Sequence, residues 1–376
     1  MNTLTGFDRV IERHIAANEM TCASYTVCID GEVVRQNALG LADRTTGRPL
    51  REDAVMRLAS MTKPVTGVAV MRARELGLLD LDDEVSRYLP EFAHLRVAEF
   101  DGEGKIVGSH PATTPLTIKM LLNHSSGLGA GKVKCRALDE AGPGATLASI
   151  VPQYAEQPLD FEPLSATGYA NLPFDTACRI IEIVSGMEYE QFIRKHILGP
   201  LGMTDTTYAP SDAQLSRLAT MYFCKGGEPV AASYEEATHY PHAPVSFKAG
   251  GTRLFSTLPD YTRFAAMLCG KGTWRGIRIL RPESVRLMAT PSLPDRLQGE
   301  YETWGLSMRV IRRQNWPGQP LPAGCFGWSG AFETHFFIDP ALHLSAVLFK
   351  NIAGGFGSGA PTSREFEREV VAEFNS

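Results

Sequence analysis

Met56 to Phe92 reads MRLASMTKPVTGVAVMRARELGLLDLDDEVSRYLPEF. From Met61 to Leu76 the apolar positions Val65, Val68, Ala69, Met71 and Leu76 follow a helical period, and Gly77 stands where a helix C-terminal cap would. A long core helix is expected here. Pro64 has no N–H and is tolerated only in a first turn, which puts the helix start close to Ser60. Ser60 and Lys63 then share one face, with the ammonium in reach of the hydroxyl. Free N–H groups and the macrodipole at this end favour the negative charge that acyl transfer develops on a carbonyl oxygen. Taken alone, the pair fits a solvated helix start with a surface lysine equally well.

Upstream, Phe7, Val10, Ile11 and Ile15 recur at helical spacing between Asp8, Arg9, Glu12 and Arg13. Ala23 to Ile29 alternates and is β-rich, Asp30-Gly31 is a hairpin turn signal, and Glu32 to Ala42 reads as the returning strand. Downstream, Asp80 to about Gly199 reads as helix and loop without a convincing strand. It includes a short helix at Thr117 to Asn123 and an apolar one from Phe174 to Ser185, ended by Gly186. Strand character returns at Gly305 to Ile311, Thr334 to Ile338 and Leu344 to Phe349, and a charged helix from Ser363 to Phe374 closes the chain. The predicted fold class is α+β: an antiparallel sheet flanked by the N- and C-terminal helices, with an inserted, mainly helical lobe. Residues 1–80 and 205–376 would form the sheet lobe and 81–204 the helical lobe, with the site in the groove between them.

The chain has 376 residues, 44% hydrophobic and 21% charged, which suffices for a large core. A formal net charge of -5 provides no positive field for a polyanion, so nucleic acid is not an expected partner. No apolar run of about 18 residues occurs, and the amphipathic start is unlike a secretory signal. An unanchored cytoplasmic protein, with no membrane partner, is expected. Seven cysteines, odd in number and never spaced C-x-x-C, read as free buried thiols. A Cys22–Cys28 bond would suit only an oxidising compartment. His239-Tyr240-Pro241-His242 is interrupted by proline and has no third ligand nearby in sequence; it reads as a loop near the pocket mouth. The glycine cluster Gly354 to Gly359 has no following lysine and is not a phosphate loop. Neither metal nor cofactor is expected, and oligomeric state is not legible.

Met56 to Phe92 resembles the nucleophile helix and following loop of class C β-lactamases and their related esterases, and Leu116 to Leu128 (LTIKMLLNHSSGL) is similar to the family's next block. The family's Y-x-N element is matched by Tyr169-Ala170-Asn171, ahead of the apolar helix. Its K-T-G or H-x-G strand is matched by Phe326-Gly327-Trp328-Ser329-Gly330-Ala331. The resemblance spans roughly residues 20 to 350 and implies a serine hydrolase of the β-lactamase and penicillin-binding-protein type, nearest in motif to the β-lactamase-like (family VIII) carboxylesterases. It implies Ser60 as nucleophile, Lys63 and Tyr169 as proton-transfer partners, and Asn171 as a positioner of Lys63 and substrate. It also implies an oxyanion hole from the N–H groups of Ser60 and Ala331, a substrate strand of Trp328, Ser329 and Gly330, and room for the acyl group at Gly330. Tryptophan stands where the family's lysine or histidine often holds a substrate carboxylate, so a small ester, which need not be an anion, is the expected substrate. An acyltransferase or an amide or β-lactam hydrolase would use the same acyl-enzyme, and a penicillin-recognising receptor is the reading from another class.

Two positions depart from the family pattern. Leu164 replaces a glycine often found after the proline equivalent to Pro163, and Glu333 replaces a frequent glycine two residues beyond Ala331. Both are expected at the pocket rim. Gly327-Trp328-Ser329-Gly330-Ala331 also comes close to a G-x-S-x-G elbow, but an elbow is followed by a helix, whereas a strand is expected here. His124 is expected to satisfy local backbone groups, while Trp304 suits pocket surface and core equally.

Overall fold

The computed structural model describes residues 5–133, 135, 137, 142, 144–225, 227–233, 247–315, 318–354 and 361–374. The first helix, α1 (Gly6–Ala16), starts at a capping box in which Thr5 and Asp8 satisfy one another's backbone N–H. Strands β1 (Cys22–Ile29) and β2 (Glu32–Asp43) follow, joined by Asp30 and Gly31 at φ 51° and 80°. Left-handed φ at both turn residues matches the twist of the strands they connect, so the register is set locally. β3 (Arg48–Pro49) extends this edge.

The sheet is completed from the other end of the chain by β4 (Glu302–Trp304), β5 (Arg309–Ile311), β6 (Phe326–Ser329), β7 (His335–Asp339) and β8 (Leu344–Lys350). Its order is β4-β5-β6-β7-β8-β1-β2-β3, antiparallel throughout. β1 lies against β8, so the sheet closes only when both chain ends are in place.

Side chains alternate across β1 because strand periodicity is two. Ala23, Tyr25 and Val27 pack with Phe7 and Ile11 of α1 and with Phe366 and Val370 of the last helix, α5 (Pro361–Phe374). Each phenylalanine so buried contributes roughly 1.5–3 kcal/mol. Thr26 faces the opposite way and meets Thr262 of α4 (Leu258–Cys269), oxygen to oxygen at 2.6 Å. Between these layers and the remaining helices runs α2 (Thr62–Glu75), buried from Thr62 to Met71 and again at Ala73. A helix buried on every side belongs to the core. Gly77 follows its end at φ 73°. The other long central helix, α3 (Leu172–Ser185), ends at Gly186 in the left-handed region.

Three sequence expectations change. The middle of the chain does contain strand: Arg96–Phe100 pairs with Ile106–Pro111. Only Val97 and Ala98 of its first strand are buried, so the period-two signal is too short to read. Of the predicted strand at Gly305 to Ile311 only Arg309–Ile311, β5, is strand; residues 305–308, with Ser307 at φ 68°, form the turn that joins it to β4. None of the seven cysteines is in a disulfide, but Cys135 and Cys269 are half-buried and Cys224 is exposed, the last on a strand with one covered end. Among the described residues no helix is long and apolar enough to cross a membrane, and no group of three or more His, Cys, Asp or Glu side chains could hold a metal ion. His239, His242 and residues 355–359 of the glycine cluster lie outside the described residues.

Candidate active site

Ser60 sits in a 3-10 turn, Ala59–Met61, that runs directly into α2. Ala59 is held at φ 45°, a costly conformation for a residue with a Cβ, so the nucleophile turn carries local strain. The surroundings hold it there. Leu58 N donates to Leu254 O at 2.9 Å, Thr62 Oγ1 donates to Ala59 O at 2.8 Å, and Thr334 Oγ1 donates to Leu58 O at 2.9 Å.

Lys63, one turn along α2, is fully buried. Its Nζ donates to Ser60 Oγ at 3.2 Å, to Asn171 Oδ1 at 2.6 Å and to Gly251 O at 2.8 Å. Three acceptors surround Nζ, a set that matches the three N–H donors of an ammonium. The cation also lies 4.6 Å from the Tyr169 ring centroid and 5.4 Å from that of Phe174. Asn171 is the residue preceding α3, so the start of that helix delivers its amide to the lysine.

Tyr169 is 44% exposed, open to an arriving substrate. Its loop is braced by His124: Gly168 N donates to His124 O at 2.9 Å, and Ala170 N to His124 Nδ1 at 3.4 Å. The imidazole is buried 4.7 Å from the Tyr169 ring and 4.3 Å from that of Trp304. Burial, and then the nearby Lys63 cation, push its pKa well below the usual histidine value, so it stays neutral. His124 therefore satisfies backbone as expected, but the Ala170 N–H comes from 46 residues away.

Trp328 and Trp304 form an aromatic wall. Their rings are 4.8 Å apart and lie 5.6 and 6.1 Å from Tyr169. Trp304, half-buried, also packs on His124. Trp328 offers no charge to a substrate, and its Nε1 is buried without a hydrogen-bond partner.

Ser329 is corrected. Being next to Trp328 on a strand, it faces the opposite side of the sheet, where its Oγ lies 2.7 Å from His335 Nδ1. His335 Nε2 is 3.1 Å from Glu367 Oε1 on α5, and all three residues are buried. Ser329 neither lines the substrate groove nor can serve as an exposed elbow nucleophile. Gly330 also acquires a different reason: a Cβ there would overlap Leu58 O and Thr334 Oγ1. Its bareness lets the strand close on the nucleophile turn. Beyond it, Gly330 N donates to Thr334 O at 2.7 Å and Glu333 N to Gly330 O at 2.9 Å; neither bond uses the N–H of Ala331, an exposed residue.

The two departures from the family pattern share a cause. Leu164 and Glu333 have φ 63° and 60°, the region glycine enters without steric cost. Glu333 is buried there with its carboxylate 2.7 Å from Lys350 Nζ.

Two residues near Lys63 escaped the sequence reading. Gly251 acts through its carbonyl, and an added Cβ would lie 2.7 Å from Asn171 Oδ1. Behind it stands Asp175, fully buried on α3. The visible signals were the Gly250-Gly251 pair and a lone aspartate in the apolar run LPFDTACRIIEIV.

The chain and its fold have counterparts. A family profile described as Beta-lactamase matches residues 7–365. Protein Rv1367c of Mycobacterium tuberculosis is 34% identical over 338 residues, covering 83% of this chain and 81% of that protein. Esterase EstB of Burkholderia gladioli is 30% identical over 376 aligned positions, covering 92% of this chain and 90% of its own. The solved structure of EstCE1, described as a hydrolase with promiscuous acyltransferase activity, superposes with a TM-score of 0.80 at 23% identity, covering 97% of both chains. The chain belongs to the beta-lactamase family, the serine β-lactamase and penicillin-binding-protein-like group whose members include esterases, acyltransferases and penicillin-binding proteins.

Proposed function

We propose that this protein is a carboxylesterase that acts on small, uncharged esters through an acyl-enzyme on Ser60. The observation that carries the reading is the saturation of Lys63 by Ser60, Asn171 and Gly251 beside an exposed Tyr169. A lysine held by three acceptors serves as an electrostatic partner, and the role of base is assigned to Tyr169, whose ring lies 4.6 Å from Nζ. Ser60 Oγ attacks the ester carbonyl while Tyr169 takes the hydroxyl proton. The oxyanion is held by the Ser60 and Ala331 N–H groups, and the C–O bond breaks as Tyr169 returns the proton to the departing alcohol. Water then attacks the acyl-enzyme by the reverse proton path and releases the acid. The wall of Trp304 and Trp328 suits an apolar ester and offers a carboxylate no cation.

Acyl transfer to another alcohol needs only a different nucleophile in the second step, and the exposure of Tyr169 leaves space for one. Intact mass is measured after incubation with a fluorophosphonate, a short-chain p-nitrophenyl ester and a penicillin, for wild type and Ser60→Ala. The expected result is a Ser60-dependent phosphonyl adduct, fast ester turnover and no lasting penicillin adduct. Normal ester hydrolysis by Ser60→Ala would refute the nucleophile, and a stable penicillin adduct would favour a receptor or peptidase. Added alcohols that divert the acyl group into a new ester would assign transferase activity.

A further inference from the structure

Lys63 is a buried cation whose three polar partners are all neutral. Among the described residues no carboxylate lies within ion-pair distance of it, although an uncompensated charge in such a place is expensive. The compensating charge stands one layer further back. Asp175 Oδ1 accepts from Gly250 N at 2.7 Å, and Asp175 Oδ2 accepts from Tyr154 Oη at 3.2 Å. The next residue, Gly251, presents its carbonyl to Lys63, while Gly250 O accepts from Thr66 Oγ1 at 2.7 Å, one turn beyond Lys63 on α2. Neither glycine tolerates a side chain. A Cβ on Gly250 would overlap Cys178 Sγ and Phe174 O, and one on Gly251 would crowd Asn171. A two-residue strap is thus clamped between the carboxylate of α3 and the ammonium of α2.

We propose that Asp175 is the buried counter-charge of Lys63, acting through the Gly250–Gly251 strap as a positioning residue for acyl transfer. The inference rests on the reading of Lys63 as part of the acyl-transfer machinery. A carboxylate in direct contact would neutralise the ammonium and turn it from Tyr169 and Ser60. Set behind a peptide, it stabilises the cation and fixes the carbonyl that orients it, while the ammonium's remaining donors stay on Ser60 and Asn171.

The charge on Asp175 depends on pH. Burial pushes its pKa up to about 7 against the opposing pull of the Gly250 N–H, Tyr154, Lys63 and the Gly251 N–H. The other titratable groups facing it are Cys178 on the same helix and Tyr208, with Tyr189 beside Cys178; burial holds all three well above their usual values, so they remain neutral. Glu190, beyond Tyr208, is paired with Lys248 at 3.0 Å. Near neutrality the charge that changes behind Lys63 is therefore that of Asp175. It is neutral below about 7 and negative above.

The test compares Asp175→Asn with wild type in kcat/KM for a p-nitrophenyl ester from pH 5 to 10, with fluorophosphonate labelling of Ser60 and thermal unfolding alongside. Wild type resembles the asparagine variant at low pH, where both lack the charge. The ratio of the two then widens to about 10- to 100-fold as pH rises past neutrality. A ratio that is constant with pH would mean a packing role only and would overturn the proposal. Should Asp175→Asn fail to fold, Tyr154→Phe decides. Removing that donor raises the Asp175 pKa further, so the acid limb of kcat/KM moves to higher pH by about half a unit or more. An unmoved limb overturns the proposal. Wild type without Ser60-dependent labelling would remove the acyl-enzyme reading and this inference with it, whereas Ser60-dependent turnover with a flat ratio removes the inference alone.

Discussion

Lys63 and Lys350 are both fully buried, yet their partners differ in kind. Lys350 meets the Glu333 carboxylate at 2.7 Å, with Ser363 Oγ at 3.5 Å. Lys63 meets a hydroxyl, an amide and a peptide carbonyl. The first arrangement spends the charge on holding β8 to the turn that follows β6, and the second leaves a field for chemistry. A lysine neutralised by direct contact has little left to offer a neighbouring phenol.

The largest effect expected from this contrast is on turnover. Lys63→Met should lower kcat by about 10³-fold in steady-state ester hydrolysis while the protein still unfolds cooperatively, since methionine is close to the lysine stem in length and volume. Normal turnover in that variant would dissolve the distinction between the two cations.

Breaking the other pair should act on stability. Glu333→Gln leaves the Lys350 charge buried without its carboxylate, at a cost of about 3–5 kcal/mol in urea unfolding, and Lys350→Met added to it should recover a good part of that loss. A single-variant cost below about 1 kcal/mol would show that Lys350 is relieved by other groups.

A third prediction concerns the charge behind Lys63. Asp175 has its folded pKa raised by burial to about 7 from 3.8, so its contribution to stability is complete below pH 4 and declines as pH rises toward 7. A shift of this size corresponds to about 4 kcal/mol. Asp175→Asn should therefore gain on wild type in urea-unfolding stability between pH 4 and pH 8. A difference that did not change with pH would place the carboxylate in a more polar setting than the one described. The same charge that supports Lys63 would then cost the fold stability, the usual direction of exchange at an active site.

The smallest effect separates two serines. Ser329→Ala removes the partner of His335 Nδ1 and should cost about 1–3 kcal/mol of stability with kcat changed by less than a few-fold, whereas Ser60→Ala should abolish acylation. A large loss of kcat in Ser329→Ala with unchanged stability would return Ser329 to the substrate groove.

Much of this was readable along the chain. The hairpin at Asp30-Gly31, the helix that follows Ser60, the apolar helix ended by Gly186 and the terminal helices each carry a local signal, and each appears within two or three residues of its expected bounds. The hairpin at Arg96 to Pro111 was missed because only two residues of its first strand are buried, and alternation needs more positions than that to register. His124, Trp304 and Asp175 could be seen as residue types without their partners being legible. The rings of His124, Tyr169, Trp304 and Trp328 meet from four separate stretches of chain.

What the sequence determined by itself is chemistry that resides in neighbours: a hydroxyl and an amine one helical turn apart, a proline that starts their helix, and turn residues that fix strand register. What tertiary structure alone decided is direction and charge balance. Trp328 faces the groove and Ser329 the terminal helices because the pairing of β6 with β7 sets which side each residue takes, and a strand shifted by one residue would exchange them. Asn171 and Gly251 reach Lys63 across 108 and 188 residues of chain. Contacts of that span follow from packing helices and sheet into one interior, where each buried charge must find its compensation wherever the fold happens to place it.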